Sequence, residues 1–135
     1  MGLDMALNVN GEELIDWRKA NHIHKWFVDN VQNGNDDCDN YPVSIEQLQK
    51  LLDVINEILG TNTKEKILNS LKDGFDKEKA EELLPTQSGF FFGSTDYDEY
   101  YLEDLKRTQK VLKTFLEGLN EAKIKDLKIT YWSSW

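Results

Sequence analysis

The stretch Leu3-Asp4-Met5-Ala6-Leu7-Asn8-Val9, closed by Asn10-Gly11, decides how the rest of the chain is read. Leu3, Met5, Leu7 and Val9 fall on one side, with Asp4, Ala6 and Asn8 on the other. A period of two is the pattern of a half-buried strand, because successive side chains point to opposite faces, and Asn-Gly is a turn signal that ends it. The same alternation returns near the other end, where Leu127, Ile129 and Tyr131 stand opposite Lys128, Thr130 and Trp132. Two such strands around a helical middle predict a single-domain α+β fold over residues 1–135. It is mostly helical, with a small antiparallel sheet formed by the N- and C-terminal strands.

Between these strands the spacing is helical. From Glu12 to about Asn33, Ala20, Ile23, Phe27 and Val31 fall on one stripe, widened by Leu14, Trp17 and Trp26, and Gly34 supplies a stop. Asn35 to Pro42 is polar and turn-rich. Ser44 followed by Gln47 is a capping-box start, and Ile45, Leu48, Leu52, Ile55 and Leu59 form the cleanest amphipathic stripe, closed by Gly60. A shorter helix is expected from Thr63, burying Ile67, Leu68 and Leu71 and weakened by Gly74. A further turn follows over Lys77 to Leu84, before Pro85. Thr95 or Asp96 then caps a long helix to about Leu116, with Tyr101, Leu105, Leu112, Phe115 and Leu119 as its inner face and Gly118 near its end.

Composition narrows the function classes. The 135 residues suit one domain, and four Trp, five Tyr and six Phe argue against disorder. No apolar run approaches the ~20 residues of a membrane helix. The start lacks the basic and apolar regions of a signal peptide, and Ala6 stands where a myristoylation start at Gly2 wants Ser or Thr, so a cytoplasmic location is expected. Cys38 is the sole cysteine, which precludes an internal disulfide. The net charge of −9 comes from 25 acidic against 16 basic residues. Direct nucleic-acid binding is therefore not expected, because it needs a basic stripe to neutralise phosphates. An acidic surface instead steers a protein towards a basic partner, when it does more than confer solubility.

Several segments carry candidate ligand patterns. Asn35, Asp37, Asp39 and Glu46 occupy ligand positions 1, 3, 5 and 12 of a calcium-loop template, but Asn40 replaces its glycine and Pro42 disturbs its centre. A plain polar connection is the better reading, and no metal or other cofactor is expected. His22 and His24, two apart on a helix, point nearly opposite ways, whereas a shared metal wants i, i+4 spacing. His22 is expected to share a face with Arg18 and Lys25, in a structural or partner-contacting role. Cys38 has no nearby basic activator in sequence.

The loop Thr86-Gln87-Ser88-Gly89-Phe90-Phe91-Phe92-Gly93-Ser94-Thr95 is the best functional candidate, since its glycines and hydroxyls expose backbone donors just before a helix start. Asp96, Asp98 and Glu99 already complement the helix dipole there and would repel a phosphate. Alternatively, the phenylalanines plug the core and the polar residues cap the helix. The candidate ligand- or partner-binding set is Arg18, His22, Lys25, Thr86, Gln87, Ser88, Phe91, Ser94, Thr95, Asp96, Tyr97 and Tyr100. No Ser/His/Asp order, CxxC pair, HExxH or dinucleotide fingerprint is present, which lowers the enzyme reading and assigns no catalytic residue.

The start Met-Gly-Leu-Asp-Met at 1–5, the segment Trp17-Arg18-Lys19-Ala20-Asn21-His22-Ile23-His24-Lys25-Trp26-Phe27, the long segment Leu84 to Tyr101 and the closing Ser133-Ser134-Trp135 together resemble a family of small phage and prophage proteins. No settled activity attaches to that family, so the resemblance implies a context and no functional residues. Small acidic phage proteins often bind and inhibit a host protein, including defence nucleases with basic grooves. The expectation is thus a non-enzymatic binding protein acting on a host or phage protein in the bacterial cytoplasm. The alternative is a small-ligand or nucleotide binder that uses the 86–95 loop and the first helix. A hydrolase or nuclease built from His22, His24, Asp96 and Asp98 ranks last. The oligomeric state is left open.

Overall fold

In the computed structural model, which describes residues 3–59, 77–86, 99–120 and 124–135, the first alternating stretch forms strand β1 (Asp4–Val9). The segment after it corrects the sequence reading. Glu12–Arg18 is not the start of a helix but strand β2, paired antiparallel with β1. The reason lies in the turn. Asn10 and Gly11 both take positive φ, 52° and 85°, and a two-residue turn of this hand matches the twist of paired strands. Once the hairpin forms, Ile15 and Trp17 are buried while Glu12, Glu13, Asp16 and Arg18 stay exposed. The register runs Met5–Trp17 and Leu7–Ile15, then slips to Asn8–Glu13. Leu14 is the extra residue of this bulge, which re-aims a side chain locally.

Lys19, at φ 57°, turns the chain out of the hairpin, and helix α1 (Asn21–Asn30) follows. Arg18 therefore lies on a strand and shares no helix face with His22. Asn21, His22, Ile23, His24, Trp26, Phe27 and Val28 are all buried, so α1 runs through the interior with polar side chains that must find partners there.

The connection over 35–40 leads to the short strand β3 (Tyr41–Pro42). Its carboxylates bond locally: the Tyr41 hydroxyl donates to Asp37, and the Asp39 and Asn40 backbone amides donate to Asp37 and Asp39. Where a calcium loop would place its central ligand, Tyr41 pairs in the sheet. Residues 35–40 are an irregular polar connection in which Asp37 and Asp39 bond to neighbouring groups.

Ser44 and Gln47 make the expected reciprocal cap, with the Ser44 amide donating to Gln47 Oε1 (2.8 Å) and the Gln47 amide to Ser44 Oγ (3.1 Å). Helix α2 (Ile45–Leu59) then buries Leu48, Leu51, Leu52, Ile55 and Ile58. Helix α3 (Lys77–Leu83) buries Ala80, and helix α4 (Glu99–Glu117) buries Tyr101, Leu105, Thr108 and Leu112. Phe115 and Leu119, expected on the inner face of α4, are half-buried. The Gly60 stop, the helix expected from Thr63 and the core of the 86–95 loop lie outside the described residues.

Strand β4 (Ile129–Ser134) runs antiparallel to β1 over its whole length, from Asp4–Ser134 to Val9–Ile129. The sheet order is β2-β1-β4-β3, so the two strands legible from alternation are the central pair. The α+β fold with a small antiparallel sheet built on the N- and C-terminal strands is therefore as expected, widened by an edge strand on each side. Its aromatic centre stacks Phe27 on Tyr131, with ring centroids 4.0 Å apart and planes within 9°, and Trp17 packs against both. Each ring buried this fully contributes roughly 1.5–3 kcal/mol by area removed from water. Among the described residues, no helix is long and apolar enough to cross a membrane.

Candidate functional site

The two histidines of α1 reach opposite sides of the helix, as their spacing requires, and both end in the interior. His24 is fully buried between two partners. Its Nδ1 lies 2.7 Å from the Tyr131 hydroxyl, and its Nε2 lies 2.8 Å from Asp36 Oδ1. Burial lowers the His24 pKa, and the Asp36 carboxylate only partly offsets this. The neutral ring then has one consistent tautomer: Tyr131 O–H donates to Nδ1, and Nε2–H donates to Asp36. The Trp135 indole N–H donates to the same carboxylate oxygen at 2.9 Å. Burial also pushes the Tyr131 phenol well above its ordinary range. A phenol that holds its proton, on an inaccessible neutral imidazole, is a poor base or nucleophile. It is a strong tie between β4, α1 and the 35–40 connection.

His22 is buried on the other side, its ring 4.2 Å from that of Tyr101. Its Nε2 makes no hydrogen bond and lies 3.9 Å from Asp104 Oδ2, beyond bonding distance. Burial lowers its pKa to about 3, so the ring is uncharged at neutral pH. Asp104 also lines a cleft of about 340 Å³ with Asp16, Arg18, Glu103 and Arg107. Three carboxylates against two guanidiniums make this cleft unattractive to a phosphate.

Open concave surfaces lie elsewhere, two of them along the flank of α4 that faces β2 and the entry to β4. Leu14, Val111 and Phe115 line one groove, rimmed by Arg107, Lys110 and Thr114. A second groove shares Thr114 and Phe115 and continues past Val9, Leu119 and Leu127 to Asn10 and Asp126. The bulge in β2 puts Leu14 against this flank. The Arg107 guanidinium donates to the Asp16 carbonyl, and the Trp17 indole N–H donates to Thr108 Oγ1 at 2.8 Å, so β2 and α4 are held together along the groove.

The charge of α4 is segregated. Residues 105–116 contain Lys106, Arg107, Lys110 and Lys113 and no acid, in a chain of net charge −9. All four cations are exposed, and among the described residues none of them forms an ion pair.

Five of the expected site residues, Arg18, His22, Lys25, Thr86 and Tyr100, fall among the described residues. Arg18 pairs with Asp4 at 3.3 Å and lines the cleft beside Asp104, which brings it near His22. Lys25 makes its contact along its own helix, with Asp29 at 2.8 Å. Thr86 is half-buried, and Tyr100 is 69% exposed at the start of α4. Gln87, Ser88, Phe91, Ser94, Thr95, Asp96 and Tyr97 lie outside the described residues, as does Asp98. Sequence reasoning passed over Asp36, Asp104, Tyr131 and Trp135, which no local pattern marks. It also passed over the acid-free run in α4, which a count of charge along that helix would have found. Among the described residues, no group of three His, Cys, Asp or Glu side chains is placed to hold a metal ion. No family model, curated protein or solved structure matches this chain.

Proposed function

We propose that this chain is a small non-enzymatic binding protein that docks on another protein. The observation that carries this reading is the groove along α4, where half-buried apolar side chains stay open to solvent beside a cationic rim. Contiguous exposed apolar surface edged by polar groups is what protein interfaces use. Both histidines, by contrast, are buried and held neutral, which leaves no ready acid–base pair among the described residues. The resemblance to small phage and prophage proteins supplies the setting: a bacterial host cytoplasm and a host or phage protein as target. The net charge of −9 favours a target with a basic surface, such as a defence nuclease that the complex would inhibit.

Affinity capture of the tagged protein from host lysate tests this reading. Thr114→Arg places a long side chain where the two grooves meet, and Phe91→Ala with Tyr97→Ala probes the loop. A specific partner is expected, lost on at least one of these surfaces while circular dichroism stays unchanged. A capture profile indifferent to both changes counts against the reading.

The small-ligand alternative has one observation in its favour: the unbonded Nε2 of His22 beside Asp104 at the cleft. The local excess of acid favours a neutral or cationic polar ligand over a nucleotide. A thermal-shift panel spanning both classes separates them, and a flat panel removes this alternative.

A further inference from the structure

The groove along α4 differs chemically at its two ends. Arg107 and Lys110 rim one end, and Asp126 stands at the other beside Asn10. Apolar side chains line the space between them. From residue 107 to its end at residue 117 this side of α4 spans about 15 Å, at 1.5 Å rise per residue, which matches nearly three turns of a second helix. Lys110 forms no ion pair among the described residues, and Arg107, which also borders the acidic cleft of Asp16, Glu103 and Asp104, is held in place by its bond to the Asp16 carbonyl.

We propose that this groove receives an amphipathic helix of a partner protein, its carboxylate-bearing C-terminal end at Arg107 and Lys110 and a cationic or neutral end at Asp126. The inference rests on the protein-binding reading and adds the occupant and its direction. A helix C-terminus exposes unbonded carbonyls with partial negative charge, so carboxylate side chains and backbone act together there. The apolar stripe of such a helix covers Leu14, Val111 and Phe115, as in other helix-in-groove complexes. Net charge does not prevent this. At physiological salt the screening length is about 8 Å, so the cations at the rim dominate the field a docked carboxylate feels. A second copy of this chain is the competing occupant, which the sedimentation measurement below distinguishes. Nucleic acid is a poorer occupant, because its backbone would meet an apolar floor and Asp126.

The test uses the full chain and two synthetic amphipathic peptides of about 14 residues. They share one leucine stripe. One carries Glu in its last turn and Lys in its first, and the other has these charges exchanged. Binding is followed by titration calorimetry and by chemical-shift changes in the protein. The expected result is that the Glu-ended peptide binds roughly tenfold more tightly and shifts the signals of Val9, Leu14 and Phe115. Lys110→Glu, at an exposed position with no ion pair among the described residues, should erase that preference, and adding Arg107→Glu should invert it. Equal binding of the two peptides, no binding of either, or shifts confined to other surfaces overturns the proposal. So does a dimer in sedimentation that Thr114→Arg dissociates, which would make the occupant a second copy. A captured partner lost with Thr114→Arg but indifferent to Lys110→Glu also overturns the oriented helix, yet leaves the protein-binding reading standing. Absence of any partner sensitive to the groove or loop variants removes that reading itself.

Discussion

His22 illustrates how one buried side chain couples stability to pH. Its folded pKa of about 3 lies below the ordinary value of 6.5. Between those values the unfolded chain binds a proton that the folded chain refuses, so stability falls as pH drops through the window. The slope is about 1.4 kcal/mol per pH unit, or about 2 kcal/mol between pH 6.5 and pH 5. His24 acts in the same direction, since its pKa is also lowered. Replacing His22 by Leu keeps an apolar body against Tyr101 and removes the titration. Urea unfolding at pH 7 and pH 5 should show the variant losing about 2 kcal/mol less than the parent on acidification. An unchanged pH dependence would mean that the ring is not sheltered from protons.

At the scale of elements, the hairpin separates what alternation reveals from what it hides. Leu3–Val9 and Ile129–Tyr131 alternate cleanly, and both proved to be strands. Glu12–Arg18 carries only Leu14, Ile15 and Trp17 as apolar residues, two of them adjacent because of the bulge. That irregularity blurred its period of two, and the stripe continuing into α1 absorbed it. The local signal that should have prevailed was Asn10-Gly11, a hairpin turn and not merely a strand end. The α2 cap and stripe were legible because both depend on spacing within one helix. The tie from His24 to Asp36, Tyr131 and Trp135 was not, because its members meet only after the sheet has formed. Gly11 has φ 85° with nothing within 4 Å of an added Cβ, so Gly11→Ala costs only backbone conformation. The expected loss is about 1 kcal/mol in thermal or chemical unfolding. A neutral result would show that the turn relaxes to another type.

For the whole molecule, the weight falls on β4. It is paired on both sides, with β1 and with β3, and it carries Tyr131 into the aromatic centre. The Asn10 amide donates to the Lys128 carbonyl and the Lys128 amide to Asn10 Oδ1, so the hairpin turn is also anchored at the entry to this strand. A chain lacking residues 129–135 loses the middle of its sheet and not an edge. It should show no cooperative melting transition, and a retained transition would place the folding core in the helices instead.

The pairing of residue 4 with residue 134 also sets an order of events during synthesis. Strand β1 leaves the ribosome before β4, with one flank taken by β2, and the other flank waits until the intervening chain has been translated. Such a distant partner raises contact order and slows folding. Until it arrives, Met5 and Leu7 sit beside an unpaired edge, the kind of surface on which nascent chains associate wrongly. Soluble yield during expression should therefore depend on translation speed and chaperone supply more strongly than the stability of the finished fold would suggest.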